Sequence, residues 1–253
     1  MSTHFLADTS VLTGRSMRHI FRSVDTIITT AITPIALMLL FVYVFGGAIR
    51  TGTENYVNYL LPGIMLIAIA SGIAYTAVRL FSDMQGGIFE RLQSMPIARS
   101  SVLWAHVLTS LVANGLSLVI IVGVALLMGF RTSASVLDWL AVAGILALFT
   151  LALTWIAIIA GLTAKSFDGA GGFSYPLIFL PFISSAFVPT DTMPGPVRWF
   201  AENQPVTSIV NTIQNIFALR PVGTDIWVAL AWCLGILVLA YAFAARVYRR
   251  KIS

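Results

Sequence analysis

The chain has 253 residues, of which 58% are hydrophobic and only 10% charged, against roughly 25% charged in an average soluble domain. That excludes a water-soluble globular protein and makes it an integral membrane protein. The net charge of +5 does not point to nucleic acid, because the basic residues lie scattered between apolar runs, and the lone Cys233 and the separated His4, His19 and His106 form neither a disulfide framework nor a metal-ligand set.

Residues 3–24 mix Phe5, Leu6, Leu12, Met17, Ile20 and Phe21 with polar and basic residues, which predicts an amphipathic helix in the membrane interface. No cleavable signal peptide is evident, since the first apolar run follows Asp8, Arg15, Arg18, Arg22 and Asp25 and is long enough to span by itself. Span one is read as Ile27–Ala48, with Pro34 inside it, and span two as Tyr59–Val78. Ala68 and Gly72, like Ala70 and Ala74, repeat at i, i+4, a spacing that permits close helix contact.

A polar interruption, Ser82 to Ser101, follows. Gly86 and Gly87 break what precedes it; Ile88, Leu92 and Met95 then form one stripe of a short helix, with Glu90, Arg91 and Gln93 off the stripe and Pro96 as its stop. Periodicity alone leaves two readings, a docking helix or an ordinary loop at the lipid surface.

Span three is read as Leu103–Phe130. Ser110, Asn114 and Ser117 fall on one of its faces, either bonding a neighbouring helix or lining a polar path, with helix packing preferred. His106 lies about one turn inside the span, a position suited to packing or an interfacial hydrogen bond. Span four runs from Trp139 to Ala164, and Lys165–Gly172 reads as a tight, flexible turn. Span five, Phe173–Val188, holds Pro176 and Pro181; each removes a backbone donor that lipid cannot replace, which argues for a kinked span buried among helices.

Pro189–Asp225 is the longest stretch that does not span. Within it Val206, Ile209, Val210, Ile213, Ile216 and Phe217 form a helical stripe, with Thr207, Asn211, Thr212, Gln214 and Asn215 on the other face. Such a helix is expected to lie in the outer interface or dip back into the protein. Span six, Trp227–Ala245, precedes Arg246, Arg249, Arg250 and Lys251. With both termini inside, the basic residues divide eleven to four in favour of the cytoplasmic segments, a positive-inside bias. The fold expected is therefore all-α, with six transmembrane helices, an N-terminal interfacial helix, a short cytoplasmic helix between spans two and three, and an external re-entrant or interfacial helix between spans five and six.

By these boundaries no Asp, Glu, Lys or Arg occupies the middle of a span, which weighs against a membrane enzyme or proton-driven carrier. No phosphate-binding G-x-x-x-x-G-K-[ST] loop occurs, so an ATP motor would have to be another polypeptide.

Two motifs, in order, carry a resemblance. Gly87-Ile-Phe-Glu-Arg-Leu-Gln-Ser-Met-Pro-Ile-Ala-Arg-Ser-Ser-Val-Leu-Trp104 is similar to the signature between spans two and three of type-2 ABC exporter permeases, more narrowly the daunorubicin-resistance-type drug permeases. Pro181-Phe-Ile-Ser-Ser-Ala-Phe-Val-Pro-Thr-Asp-Thr-Met-Pro194, with Asn203-Gln-Pro-Val-Thr207, resembles that family's fifth-span end and external region. The likeness covers nearly the whole chain, residues 1–253, as one permease domain; Ala105-His106 departs from relatives with Gly followed by a basic residue or His.

The resemblance implies two paired permeases, like or unlike, in the cell membrane, each docked on a separate ATPase subunit. Two ATPase copies would hold ATP and Mg, this chain would hold no cofactor and no metal, and it would not itself be an enzyme. Phe89, Leu92 and Met95, with Ile88 and Pro96, would seat in the ATPase, while Glu90, Arg91 and Arg99 set orientation. Ser110, Asn114, Ser117, Pro181, Ser184 and Ser185 would serve the substrate path or helix packing, and the helix after Pro205 would close its outer end. The substrate expected is a hydrophobic or amphipathic compound leaving the cell. The alternatives are a lipid-linked saccharide permease or a stand-alone proton-driven carrier.

Overall fold

Backbone groups in lipid have no water to bond, so long apolar runs close their hydrogen bonds internally as helices. The structure, a computed structural model, describes residues 9, 13–14, 24–47, 49, 55–87 and 99–252, and among these there is helix but no strand. Apart from residues 9, 13–14 and 24, the expected N-terminal amphipathic helix lies outside the described residues, as do the expected docking residues Ile88, Phe89, Glu90, Arg91, Leu92, Met95 and Pro96.

Helix α1, Val24–Leu40, passes directly into a π-helical turn, Phe41–Phe45. Next come α2, Tyr56–Gln85, α3, Arg99–Leu127, and α4, Val136–Thr163. Short helices α5, Phe167–Gly172, and α6, Ser174–Phe179, lead to a 3-10 turn, Leu180–Ile183. Then α7, Gly195–Glu202, α8, Pro205–Phe217, and the long α9, Asp225–Ile252, complete the chain. Among the described residues, four helical stretches are long and apolar enough to cross a membrane: Tyr56–Gln85, Ser101–Leu127, Val136–Thr163 and Asp225–Arg250. A shorter apolar stretch is Ala31–Phe45.

Several boundaries depart from the sequence reading. Helix α2 continues past Val78 through Arg79 and Asp83 to Gln85, because the stop is set by backbone geometry: Gly86 N–H closes on Ser82 O, and Gly87 takes φ +67°. Ser82 to Gln85 therefore belongs to the helix rather than to the polar interruption. At the far end of α3, Gly129 at φ +99° and a Phe130 N–H bond to Ala125 O end the helix at Leu127. Helix α4 begins earlier than expected: Ser135 Oγ accepts from Asp138 N–H, and Asp138 Oδ2 accepts from Ser135 N–H.

The Gly-rich run expected as a flexible turn is instead α5. Ser166 Oγ caps it by accepting from Gly169 N–H, Ala170 is fully buried, and Phe167 meets Phe81 of α2 edge-on at 5.1 Å. The expected fifth span is not one helix but α6 and the 3-10 turn, interrupted where Pro176 and Pro181 deny donors.

The core is organised around α2, which packs against α1, α3, α4, α5, α6 and α8. A large apolar cluster includes Leu60, Ile64, Ile121, Phe149, Ile209 and Ile213; a smaller one includes Leu80, Leu103, Val107, Trp155 and Ala244. Close approach is allowed where side chains vanish. A methyl group on Gly161 of α4 would lie 2.7 Å from Ala77 O of α2, so α2 and α4 touch backbone to backbone there.

Candidate functional site

Three groups of residues stand apart from plain apolar packing. The first lies where α2, α3 and α4 meet. Asn114 Nδ2 donates to Ser110 O at 2.9 Å and to Ser110 Oγ at 3.3 Å, and Ser110 Oγ lies 3.1 Å from Thr154 Oγ1. The Thr154 hydroxyl gives its one proton to Thr150 O at 2.7 Å, so Ser110 is the donor to Thr154. The result is a directed chain, Asn114 to Ser110 to Thr154 to the Thr150 carbonyl. Asn114 is 3% exposed, yet its Oδ1 has no donor; it lies against the bare Cα of Gly72. Ser117 bonds Ala113 O one turn back. On α3 these residues fall between Val107 of the smaller cluster and Ile121 of the larger one.

The second group surrounds the proline-broken segment. Ser184 Oγ donates to Pro181 O at 2.6 Å and accepts from Ala186 N–H. Gln204 Nε2 donates to Ile183 O at 2.7 Å and Leu180 O at 3.3 Å, supplying donors to carbonyls of the broken stretch. Ser185 Oγ donates to Asn211 Oδ1 of α8. Beside it Phe182 stacks on Phe187 at 4.9 Å, and Phe41 from the π-helical turn lies 4.7 Å from Phe187.

All six stripe residues of α8, Val206, Ile209, Val210, Ile213, Ile216 and Phe217, are buried, and the helix packs against α2, α4 and α9. The polar face differs from expectation: Thr207 and Thr212 are buried as well. Thr207 Oγ1 donates to Ala201 O and Thr212 Oγ1 to Ser208 O, so neither hydroxyl needs water. Gln214 Nε2 donates to Tyr59 O of α2 at 2.8 Å.

The third group flanks the undescribed residues 88–98. His106 Nε2 on α3 lies 3.3 Å from Asp83 Oδ2 on α2, with the imidazole 7% and the carboxylate 33% exposed. Arg99, an expected docking residue, opens α3. The Asp83 partner of His106, the Gln204 bridge and the Phe41–Phe187 contact were not singled out from sequence. Only the apolar stripe of α8 and the Ser110–Asn114–Ser117 face carry a helical-period signal.

Residues 7–218 match the family of the ABC-2 type transporter. The chain belongs to that family. It is 27% identical to a daunorubicin resistance ABC transporter permease protein, DrrB1, of Streptomyces coeruleorubidus, over 89% of this chain and 80% of that protein. It is 26% identical to a probable doxorubicin resistance ABC transporter permease protein, DrrC, of Mycobacterium tuberculosis, over 97% of this chain and 90% of that one. An ABC-2 permease is a multi-pass membrane protein that works with an ATPase partner, and the long apolar helices agree with that membership.

Proposed function

We propose that this chain is the permease of an ATP-driven exporter carrying a hydrophobic or amphipathic drug-like compound out of the cell. The observation that carries this reading is the ABC-2 type match over residues 7–218, joined to relatives whose names specify daunorubicin and doxorubicin resistance. In this reading the chain has six spans in the cell membrane and both termini in the cytoplasm. It pairs with a second permease, alike or homologous, on two ATPase subunits that bind ATP and Mg.

The short segment after Gly87 would receive the ATPase stroke through Ile88, Phe89, Leu92, Met95 and Pro96, oriented by Glu90, Arg91 and Arg99. Its two ends join α2 and α3, and the His106–Asp83 contact ties those helices together just inside it. A push there is delivered to a helix that packs on most of the bundle. At the other end α8 would act as the outer gate. Ser185–Asn211 and Gln204 link it and its approach to the proline-broken segment, whose missing helical hydrogen bonds make it the weakest stretch to reshape. Phe41 and Phe182, half-buried and packed on the buried Phe187, would offer aromatic surface to the compound, and Ser110, Asn114 and Ser117 would hold α3 to its neighbours.

The test is Glu90→Arg in the intact cell. Insertion should stay normal while co-purification of the ATPase subunit falls; unchanged co-purification would remove the docking role. Orientation is read separately, after Cys233→Ser and with a new cysteine at Ser253→Cys. An impermeant thiol reagent should label it only in opened cells.

A further inference from the structure

Helices α3 and α8 end in the same way and at the same end of the bundle. Phe130 N–H bonds Ala125 O beside Gly129 at φ +99°, and Arg220 N–H bonds Asn215 O beside Leu219 at φ +53°. Both are left-handed turns that fold the next residue back across the helix end. The second is made by a leucine, for which this conformation costs about 1–2 kcal/mol. The two turns are joined: Thr132 Oγ1 donates to Phe217 O at 2.7 Å.

The consequence is a cleft of ≈ 140 Å³ between the two ends, lined by Arg131, Arg220, Asn58, Asn215, Phe130 and Phe217 among others, and by no carboxylate. Arg131 spends Nη1 on Leu126 O and Phe130 O, and Asn58 Oδ1 accepts Arg131 N–H. The Arg220 guanidinium makes no hydrogen bond or ion pair with a described residue, and neither arginine is in an ion pair among the described residues. Two guanidinium groups in one cleft repel each other and call for an anion, and the planar fork of arginine matches phosphate oxygens.

The surroundings say which phosphate. Trp139 lies against Phe130 and Phe217 at the rim, where an interfacial tryptophan belongs. Leu127, Val136, Leu137 and Leu140 beside it are exposed, Leu127 to 89%, as befits side chains facing acyl chains. A free anion has no use for that apolar border; a lipid has its tails on it.

We propose that this cleft is a binding site for the headgroup phosphate of an anionic phospholipid. Arg131 and Arg220 clamp the phosphate, Asn58 and Asn215 border it, and the acyl chains lie along the ends of α3 and α4. A zwitterionic headgroup brings its own cation to a cleft that already holds two, so it binds less well. The site uses none of the docking residues and meets the gate helix α8 only at its C-terminal end, through Gln214, Asn215 and Phe217, and it stands whether or not the exported compound is a drug.

The test uses the full-length chain in detergent, with phosphatidylglycerol binding measured by native mass spectrometry. Arg220→Gln breaks no internal bond and should weaken phosphatidylglycerol about fivefold, the contribution of one basic residue at a membrane surface. Arg131→Gln with Arg220→Gln should weaken it further, and Arg131→Lys with Arg220→Lys should keep part of the affinity. Phosphatidylcholine should bind more weakly than phosphatidylglycerol to the unaltered chain and should lose less on Arg220→Gln, since its choline cation already offsets the phosphate charge. Unchanged phosphatidylglycerol affinity in Arg220→Gln, or equal affinity for the two lipids, would overturn the proposal. So would inorganic phosphate alone raising thermal stability in phosphatidylcholine nanodiscs as phosphatidylglycerol does, with the effect lost in Arg220→Gln, since the site would then serve free phosphate.

Discussion

His106 on α3 reaches Asp83 on α2 with Nε2 3.3 Å from Oδ2, just inside the ends from which residues 88–98 depart. The imidazole is buried and the carboxylate is partly wet, so removing the ring strands an acceptor that water can only partly serve. We expect His106→Ala to lower stability by about 1 kcal/mol, the low end for a stranded polar partner, and to reduce ATP-dependent transport and ATPase association together. His106→Gln, which can still donate, should recover part of both. Thermal unfolding in detergent, transport and co-purification measured on the same preparations check this. Lost transport with intact stability and ATPase coupling would instead favour a proton relay.

Gly72 and Asn114 form a lock that a double-mutant cycle can open. A methyl at position 72 would sit 2.1 Å from Asn114 Oδ1, so Gly72→Ala should cost about 1–3 kcal/mol by overpacking. Asn114→Ala removes an amide whose oxygen is already unpartnered and whose nitrogen bonds only Ser110 of the same helix, and should cost less, about 0.5 kcal/mol, the low end for a net hydrogen bond. The pair should be strongly non-additive, with Asn114→Ala rescuing Gly72→Ala. Additive losses in thermal unfolding would show that α2 and α3 do not meet through these two residues.

Leu219 offers a gain. Its φ of +53° is unfavourable for a leucine, and its side chain is 59% exposed, so little packing is at stake. Leu219→Gly should raise stability by about 1 kcal/mol. A melting temperature that stays level or falls would mean that the exposed leucine contributes more from its surface contacts than its backbone loses.

The pair Arg198–Glu202 sets a pH dependence. Arg198 Nε donates to Glu202 Oε1 at 2.7 Å, and Thr190 Oγ1 adds a bond at 3.3 Å. The hydrogen bond from Arg198 lowers the Glu202 pKa below its ordinary value. A lowered carboxyl pKa contributes stability above the unfolded value of about 4.3, and that stability is lost as pH falls through the folded value. The stability difference between the unaltered chain and Glu202→Gln should therefore be constant at neutral pH and shrink on acidification below about pH 4. Melts at a series of pH values measure it; a difference independent of pH would leave the ion pair without a role.

What the sequence made legible was the lipid-facing part of the fold. Runs such as 103–127 and 139–163 are long and apolar enough that helix is the only arrangement lipid tolerates. The ends were less legible, because hydropathy stops where charge begins, whereas α2 stops only where Gly86 and Gly87 let the backbone turn. Partners were hidden for another reason. Nothing local to Pro181 announces that Gln204 will serve Leu180 and Ile183, and nothing local to His106 announces Asp83. Thr207 and Thr212 misled because a hydroxyl looks like a call for water, although on a helix it can satisfy itself on a nearby carbonyl. The docking role expected of Ile88 to Pro96 rests on family resemblance, and those residues lie outside the described residues.

The inward placement of α8 has a consequence for biosynthesis. Helix α2 leaves the ribosome early, and the buried side chains it carries, such as Leu60, Ile64 and Ile67, are at home among acyl chains until α3 and α4 arrive. Helix α8 has no such waiting room, since Ser208, Asn211, Thr212 and Gln214 would confront hydrocarbon or stay in water. It can enter only a bundle whose α2 and α4 are already in place, and α9, synthesised after it, then packs along its flank. A chain truncated before Asp225 should therefore insert its earlier helices yet leave α8 open to protease, with α9 acting as the latch that completes assembly.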